Sequence, residues 1–194
     1  MGQFNSDFAL ARIADESGLS SASLTATHSA TGINGSPSIA WVAPSGVNSG
    51  DIIFDLGGLF TLSGSSIWNF NNTASDTFDI SVSTIQIAVS TDGLNFGSLL
   101  SLAVNGSASS TTGNLIRTPN LGVLALSPDL VTFASVNATH VRLSVAGQGS
   151  FVGVGLSEVA FDGVAASDPI PEPSSFALLG LGTAALAFAR RSRR

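Results

Sequence analysis

Among its 194 residues the chain has no cysteine, no tyrosine and no lysine. The missing cysteine excludes disulfides, thiolate zinc sites and a cysteine nucleophile, so packing alone must hold the fold. Positive charge is scarce: residues 1–163 carry Arg12, Arg117 and Arg142 against eleven carboxylates, from Asp7 to Asp162. A body of that sign repels a phosphate backbone, which argues against nucleic acid as a partner. Catalytic signatures are missing as well. There is no Gly-x-Ser-x-Gly elbow, His-Glu-x-x-His helix, Walker loop or dinucleotide glycine triplet, and Gly153-x-Gly155 lacks its third glycine because Glu158 stands there. His28 and His140 are the only bases suited to neutral pH. One lies in a Ser/Thr-rich loop and the other beside Arg142 on the outer face of a predicted strand, so both are read as solvated. The chain reads as non-enzymatic.

What is present is Gly, Ser, Thr and Asn in polar stretches, with Phe and β-branched residues in short runs, which is how an all-β secreted protein reads. Residues 51–56 alternate with Ile52, Phe54 and Leu56 on one face, 65–70 present Ile67 and Trp68, and 84–90 set Ile85, Ile87 and Val89 against Gln86 and Ala88. Residues 140–146 turn Val141, Leu143 and Val145 inward and His140, Arg142 and Ser144 outward, and 154–161 close the domain. Alternation of period two marks half-buried strands. Gly57-Gly58, Asp92-Gly93 and Gly147-Gln148-Gly149 punctuate them as turns. Uneven connections predict a two-sheet sandwich of about eight strands rather than an up-and-down barrel. The predicted body spans 10–163, between an N-terminal segment 1–9 and a linker 164–170. That length suits one domain, and no internal repeat is present.

The end of the chain is of another kind. Pro171-Glu172-Pro173 precede an uncharged apolar run over 174–189, and Arg190, Arg191, Arg193 and Arg194 follow it. Its Leu and Ala favour a helix once water is absent. At about 1.5 Å per residue the run reaches roughly 24 Å, against about 30 Å of bilayer interior, so it spans marginally. The arginines act as a membrane stop on the cytoplasmic side and leave the body on the far side. The alternative is a buried core helix with a basic tail, but a core helix normally keeps a polar stripe and this one has none. Turn, apolar span and arginine cluster in this order resemble the PEP-CTERM sorting domain of Gram-negative bacteria. The resemblance implies export, recognition of Pro171, Glu172 and Pro173 by an exosortase-type processing enzyme, inner-membrane anchoring before processing, and then delivery to the cell surface or extracellular matrix. Met1 to Asp7 offer neither a basic n-region nor an apolar h-region. The expectation is therefore a true start upstream.

Phe54-Asp55-Leu56-Gly57, Val89-Ser90-Thr91-Asp92-Gly93-Leu94-Asn95-Phe96, Ala138-Thr139-His140-Val141-Arg142-Leu143 and Leu156-Ser157-Glu158-Val159 come in an order and spacing similar to the discoidin, or coagulation factor 5/8 type C, jelly rolls. Residues 33–41 echo that group's early Asp-Gly-x-x-x-Thr-x-Trp stretch, with Asn34 where an Asp is usual. The implied fold is a galactose-binding-like jelly-roll β-sandwich followed by a C-terminal transmembrane helix. In that group a glutamate at the place of Glu158 helps hold a structural Ca2+ with carbonyls of an early loop, here around 34–38. Oxygen ligands suit that cation. The alternative is an outward-facing or Arg142-paired glutamate. Trp41 is the candidate ring for stacking on a sugar, with a place in the core as its alternative; Trp68 is read as core. The sequons at Asn71, Asn105 and Asn137 mark solvated loops. The leading reading is an exported, non-enzymatic surface or matrix protein associated with exopolysaccharide. A calcium-dependent lectin-like module is the first alternative, and a secreted hydrolase acting through Glu158 or Asp92 the second.

Overall fold

The computed structural model describes residues 1–3, 9–29, 39–70, 80–98, 101–109, 111–115, 125–147 and 153–166. The sorting tail with the transmembrane helix expected over 174–189, the carbonyls of 34–38 and the Asn71 sequon lie outside the described residues. The strands are β1 (His28–Ser29), β2 (Trp41–Val42), β3 (Ser49–Asn69), β4 (Val82–Ser90), β5 (Gly97–Ser98), β6 (Leu102–Val104), β7 (Ser107–Ser109), β8 (Gly113–Asn114), β9 (Ala125–Leu126), β10 (Asp129–Gly147) and β11 (Gly155–Ala165). The 3-10 turn Leu10–Ala14 precedes them. The architecture is an all-β sandwich, and among the described residues no element is an α-helix.

The main sheet runs β2-β11-β3-β10-β4-β5, with antiparallel pairing between these neighbours. The alternating residues explain why. Ile52, Val141, Leu143, Val145, Ile85 and Ile87 are all buried, and they join Leu62, Ile67, Val131, Leu156 and Val159 in one core. The alternate residues of β3 on the other face, Asp51, Ile53 and Asp55, stay in water. Burying each large aliphatic side chain of this set stabilises the fold by about 1.5–3 kcal/mol.

The structure corrects five sequence readings. Gly57-Gly58 does not reverse the chain: it lies inside β3, where Ala138 pairs with Phe60 and His140 with Asp55, so the extra residues bulge out of the ladder. Gly57 has φ 72°, and its N–H donates to Asp55 Oδ1 at 2.9 Å, which is why glycine serves there. The body ends later than 163, because β11 continues to Ala165 against Phe60. The N-terminal segment is not separate from the body: the Met1 amino group donates to the Asp51 carbonyl at 3.1 Å and its side chain packs on the core. Ala88 is buried rather than outward, on the face where its register partner Arg142 stacks on the Phe96 ring at 5.1 Å. Finally, His28 is wholly buried, not solvated. Its Nδ1 lies 2.7 Å from the Ser29 carbonyl, and the loop at Gly18 closes over the ring.

Candidate functional site

β11 lies between β2 and β3, so its first five residues, Gly155 to Val159, are buried whichever way they face. One of them is a glutamate. Glu158 pairs in register with Trp68 and is 2% exposed, and its Oε2 has no hydrogen-bond partner among the described residues. Beside it, Ala14, Glu16, Leu19, Leu24 and Trp68 line a cavity of about 250 Å3. Burial pushes the Glu158 carboxyl up to about 8, the negative charges of Asp15 and Glu16 add to that, and the backbone amides of Glu16 and Val159 oppose it. An isolated buried carboxylate is expensive, so this group either keeps its proton or meets a cation.

The turn after Leu10–Ala14 builds the wall of the cavity. Arg12 holds Asp15 through Nη1 and Oδ2 at 3.0 Å, and the Ser17 N–H donates to Asp15 Oδ1 at 2.9 Å. Burial pushes the Asp15 carboxyl up, but these hydrogen bonds and the guanidinium together hold it below its ordinary value. Glu16 has φ 58°, a left-handed backbone that side chains rarely adopt. His28 lies just beyond: burial lowers its affinity for a proton, partly offset by nearby carbonyls and Asp15, so the imidazole is neutral. Among the described residues no three acidic or histidine side chains cluster closely enough to hold a metal by themselves. Any cation at Glu158 would need backbone carbonyls too.

Trp41 is not available for sugar stacking. It is fully buried between the core and the N-terminus, and its indole N–H donates to the Gly2 carbonyl at 2.9 Å. Trp68 is core as expected, with its N–H given to the Ala26 carbonyl at 2.7 Å. Asp92 is consumed by the β4–β5 turn. The N–H groups of Leu94 and Asn95 both donate to its Oδ1 at 2.8 Å, the Asn95 amide donates to Oδ2, and these bonds with Ser90 hold the carboxyl far below its usual range. A carboxylate so held cannot act as a general acid at neutral pH. His140 keeps partial exposure, with Nε2 3.7 Å from Asp55 Oδ1 and Nδ1 2.8 Å from Thr139 Oγ1. Arg142 pairs with Asp51 at 3.9 Å and not with Glu158. Sequence reasoning missed Asp15 and Glu16; an Asp-Glu-Ser-Gly turn straight after the apolar Ile13 was the available signal.

The class the described strands define is that of the all-β sandwiches. Residues 169–194 match the PEP-CTERM protein-sorting motif, so the chain carries that signal. Among solved structures, a family 89 glycoside hydrolase from Clostridium perfringens in complex with 2-acetamido-1,2-dideoxynojirmycin is similar with TM-score 0.50 and 19% identity, over 88% of this chain and 14% of that one. CpGH89CBM32-5 from Clostridium perfringens, in complex with GalNAc-beta-1,3-galactose, has TM-score 0.40 and 22% identity over 58% of this chain and 64% of that one. CBM32-3 from a family 31 glycoside hydrolase of the same organism has TM-score 0.45 and 17% identity over 64% and 75% of the two chains. The chain thus spans less than two thirds of the first two solved chains. No curated protein matches it.

Proposed function

We propose that the chain is an exported, non-enzymatic surface protein whose jelly-roll body contacts extracellular polysaccharide and whose tail sorts it. The observation that carries this reading is the sorting motif over 169–194, placed directly after a sandwich that ends at Ala166. Pro171, Glu172 and Pro173 are the recognition triplet for an exosortase-type enzyme. The run over 174–189 crosses the inner membrane as a helix before processing, and Arg190, Arg191, Arg193 and Arg194 hold its end in the cytoplasm. Among the described residues no helix is long and apolar enough to cross a membrane. A carbohydrate role for the body is supported by its fold, which is similar to part of a glycoside hydrolase.

A second reading, a calcium-dependent module, is favoured by Glu158. An unpartnered oxygen on a nearly inaccessible carboxylate beside a cavity, with Asp15 and Glu16 adding negative potential, fits a hard cation with oxygen ligands. Glu158 would supply one ligand and the early loop its carbonyls. Such a cation would neutralise buried charge and tie the Asp15–Gly18 turn to β11 without taking part in any reaction.

The test is fractionation of cells producing the protein from its own locus, with Pro171, Glu172 and Pro173 intact or all changed to alanine. Surface delivery that depends on the triplet supports the sorting reading; equal distribution of both forms contradicts it. A polysaccharide array with and without EDTA then separates the readings of the body: binding in both conditions supports a metal-independent module, and binding lost in EDTA the calcium-dependent one.

A further inference from the structure

The sandwich has two unlike ends. At one end β3 finishes at Asn69, β4 begins at Val82, β10 finishes at Gly147 and β11 begins at Gly155. These termini are held together: Gly147 pairs with Val82, Leu156 with Asn69, and the Gly155 N–H donates to the Ile80 carbonyl at 2.6 Å. The chain leaves for its sorting motif at the other end, where Ala165 pairs with Phe60 and the Ala166 N–H donates to the Leu59 carbonyl at 2.9 Å. Nine residues of β3 separate Phe60 from Asn69, or about 30 Å at 3.3 Å each.

The exit end is apolar. Leu56, Phe60, Leu62, Phe161 and Gly163 line an open groove of about 230 Å3 that no charged side chain enters among the described residues. Phe54 packs edge-on against Phe161, with ring centroids 5.1 Å apart. Val164 is 69% exposed and Leu59 38%, on the two strands that flank the groove. The β4–β5 turn belongs to the same end, since Gly93 packs against the His140 ring and His140 faces Asp55; its tip offers Leu94, 84% exposed. Three of the five large exposed apolar side chains among the described residues thus gather where the chain departs. Charge nearby is acidic, from Asp55 and Asp162.

We infer that this apolar end is a lipid-docking face, laid on an uncharged or zwitterionic membrane surface while the tail is still anchored. The inference rests on the membrane reading of residues 174–189. Chain continuity chooses the occupant. Only seven residues separate Ala166 from Ser174, and eight steps of at most about 3.6 Å each keep the exit end within roughly 29 Å of the point of insertion. A second copy is a poorer occupant, because one small groove and three side chains fall well short of the about 800 Å2 per partner that a stable dimer buries. Asp55 and Asp162 are exposed, while Arg142 is already paired with Asp51 and stacked on Phe96, so anionic headgroups are the poorer partner and salt a weak lever. The opposite end, where β4 begins and β10 finishes, then points away from the membrane.

Because the chain has no cysteine, a single one can be labelled. The full chain is reconstituted into phosphatidylcholine nanodiscs as Val164→Cys, Leu59→Cys or Ser45→Cys, each carrying the same fluorophore, and quenched by headgroup-region nitroxide lipid. The expected result is quenching at positions 164 and 59 several-fold stronger than at 45, unchanged by salt. Equal quenching at all three positions in chains that co-elute with nanodiscs overturns the docking face and leaves the anchor reading standing. Failure to co-elute overturns both. Lipid-independent protection of position 164 together with a dimer mass assigns the face to a second copy and overturns the proposal. Leu59→Asn with Val164→Asn provides the second check. Both side chains are exposed, so the fold is kept, and quenching at Leu94→Cys should fall several-fold; no change contradicts the inference.

Discussion

Replacing Glu158 by glutamine at several pH values exposes the energetics of the buried carboxyl. In the folded protein its titration is raised from 4.5 to about 8. Between those values the unfolded chain releases the proton and the folded chain keeps it, so the unfolded state binds fewer protons and stability falls as pH rises. Each pH unit in the window removes about 1.4 kcal/mol, on the order of 4–5 kcal/mol in all, which is lost by pH 8 and fully present below 4.5. The Glu158→Gln chain keeps the shape and has no proton to release. Urea unfolding in mild detergent with EDTA, at pH 5, 6, 7 and 8, should therefore show a falling midpoint for the native sequence and a flatter one for Glu158→Gln. At pH 8 the variant should be more stable by a few kcal/mol. Millimolar Ca2+ should restore the native chain at pH 8 by mass action and leave the variant unmoved. A flat native profile in EDTA refutes the reasoning about the carboxyl. Equal calcium responses of the two chains refute its role as a ligand.

Three further changes probe the scaffold. Asn69→Ala strips the Phe70 and Val82 N–H groups of their acceptor at 2.9 and 2.8 Å and should cost about 2–4 kcal/mol in denaturant unfolding; a loss near zero contradicts its place as the clasp between β3 and β4. Gly93→Ala forces a side chain into φ 73°, 3.0 Å from the His140 ring, and should lower stability by about 1–2 kcal/mol; an unchanged melting temperature counts against the turn geometry. Trp41→Phe removes the hydrogen bond to Gly2 and some core volume, costing about 1–3 kcal/mol. Polysaccharide retention on an affinity gel should stay intact at temperatures where the variant is folded, and selective loss of binding would mean that the ring reaches the ligand after all.

The strands were legible because alternation is local. Ile52, Val141, Leu143 and Val145 face inward as their spacing requires, and Asp51, Ile53 and Asp55 face out. The glycine pair at 57–58 was readable as a backbone irregularity but not as a bulge, since positive φ serves a turn and a bulge equally and the difference lies in pairing with β10, some 80 residues away. Trp41 stayed open between core and ligand, and His28 misled, for the same reason. Their burial comes from Gly2, 39 residues before Trp41, and from the Gly18 loop over the His28 ring, and neither contact leaves a period in the sequence. Glu158 was legible as an anomaly, a charge in an apolar strand, whereas Asp15 and Glu16 became part of its surroundings only once the first turn packed on β11.

The most direct test of surface delivery through the tail is the intact mass of the protein released from the outside of cells, compared between cells with and without the exosortase. With the enzyme, the released protein should lack the stretch from 174 to 194; without it, the full-length chain should accumulate at the inner membrane. Full-length chain recovered from the cytosol of both would contradict the account.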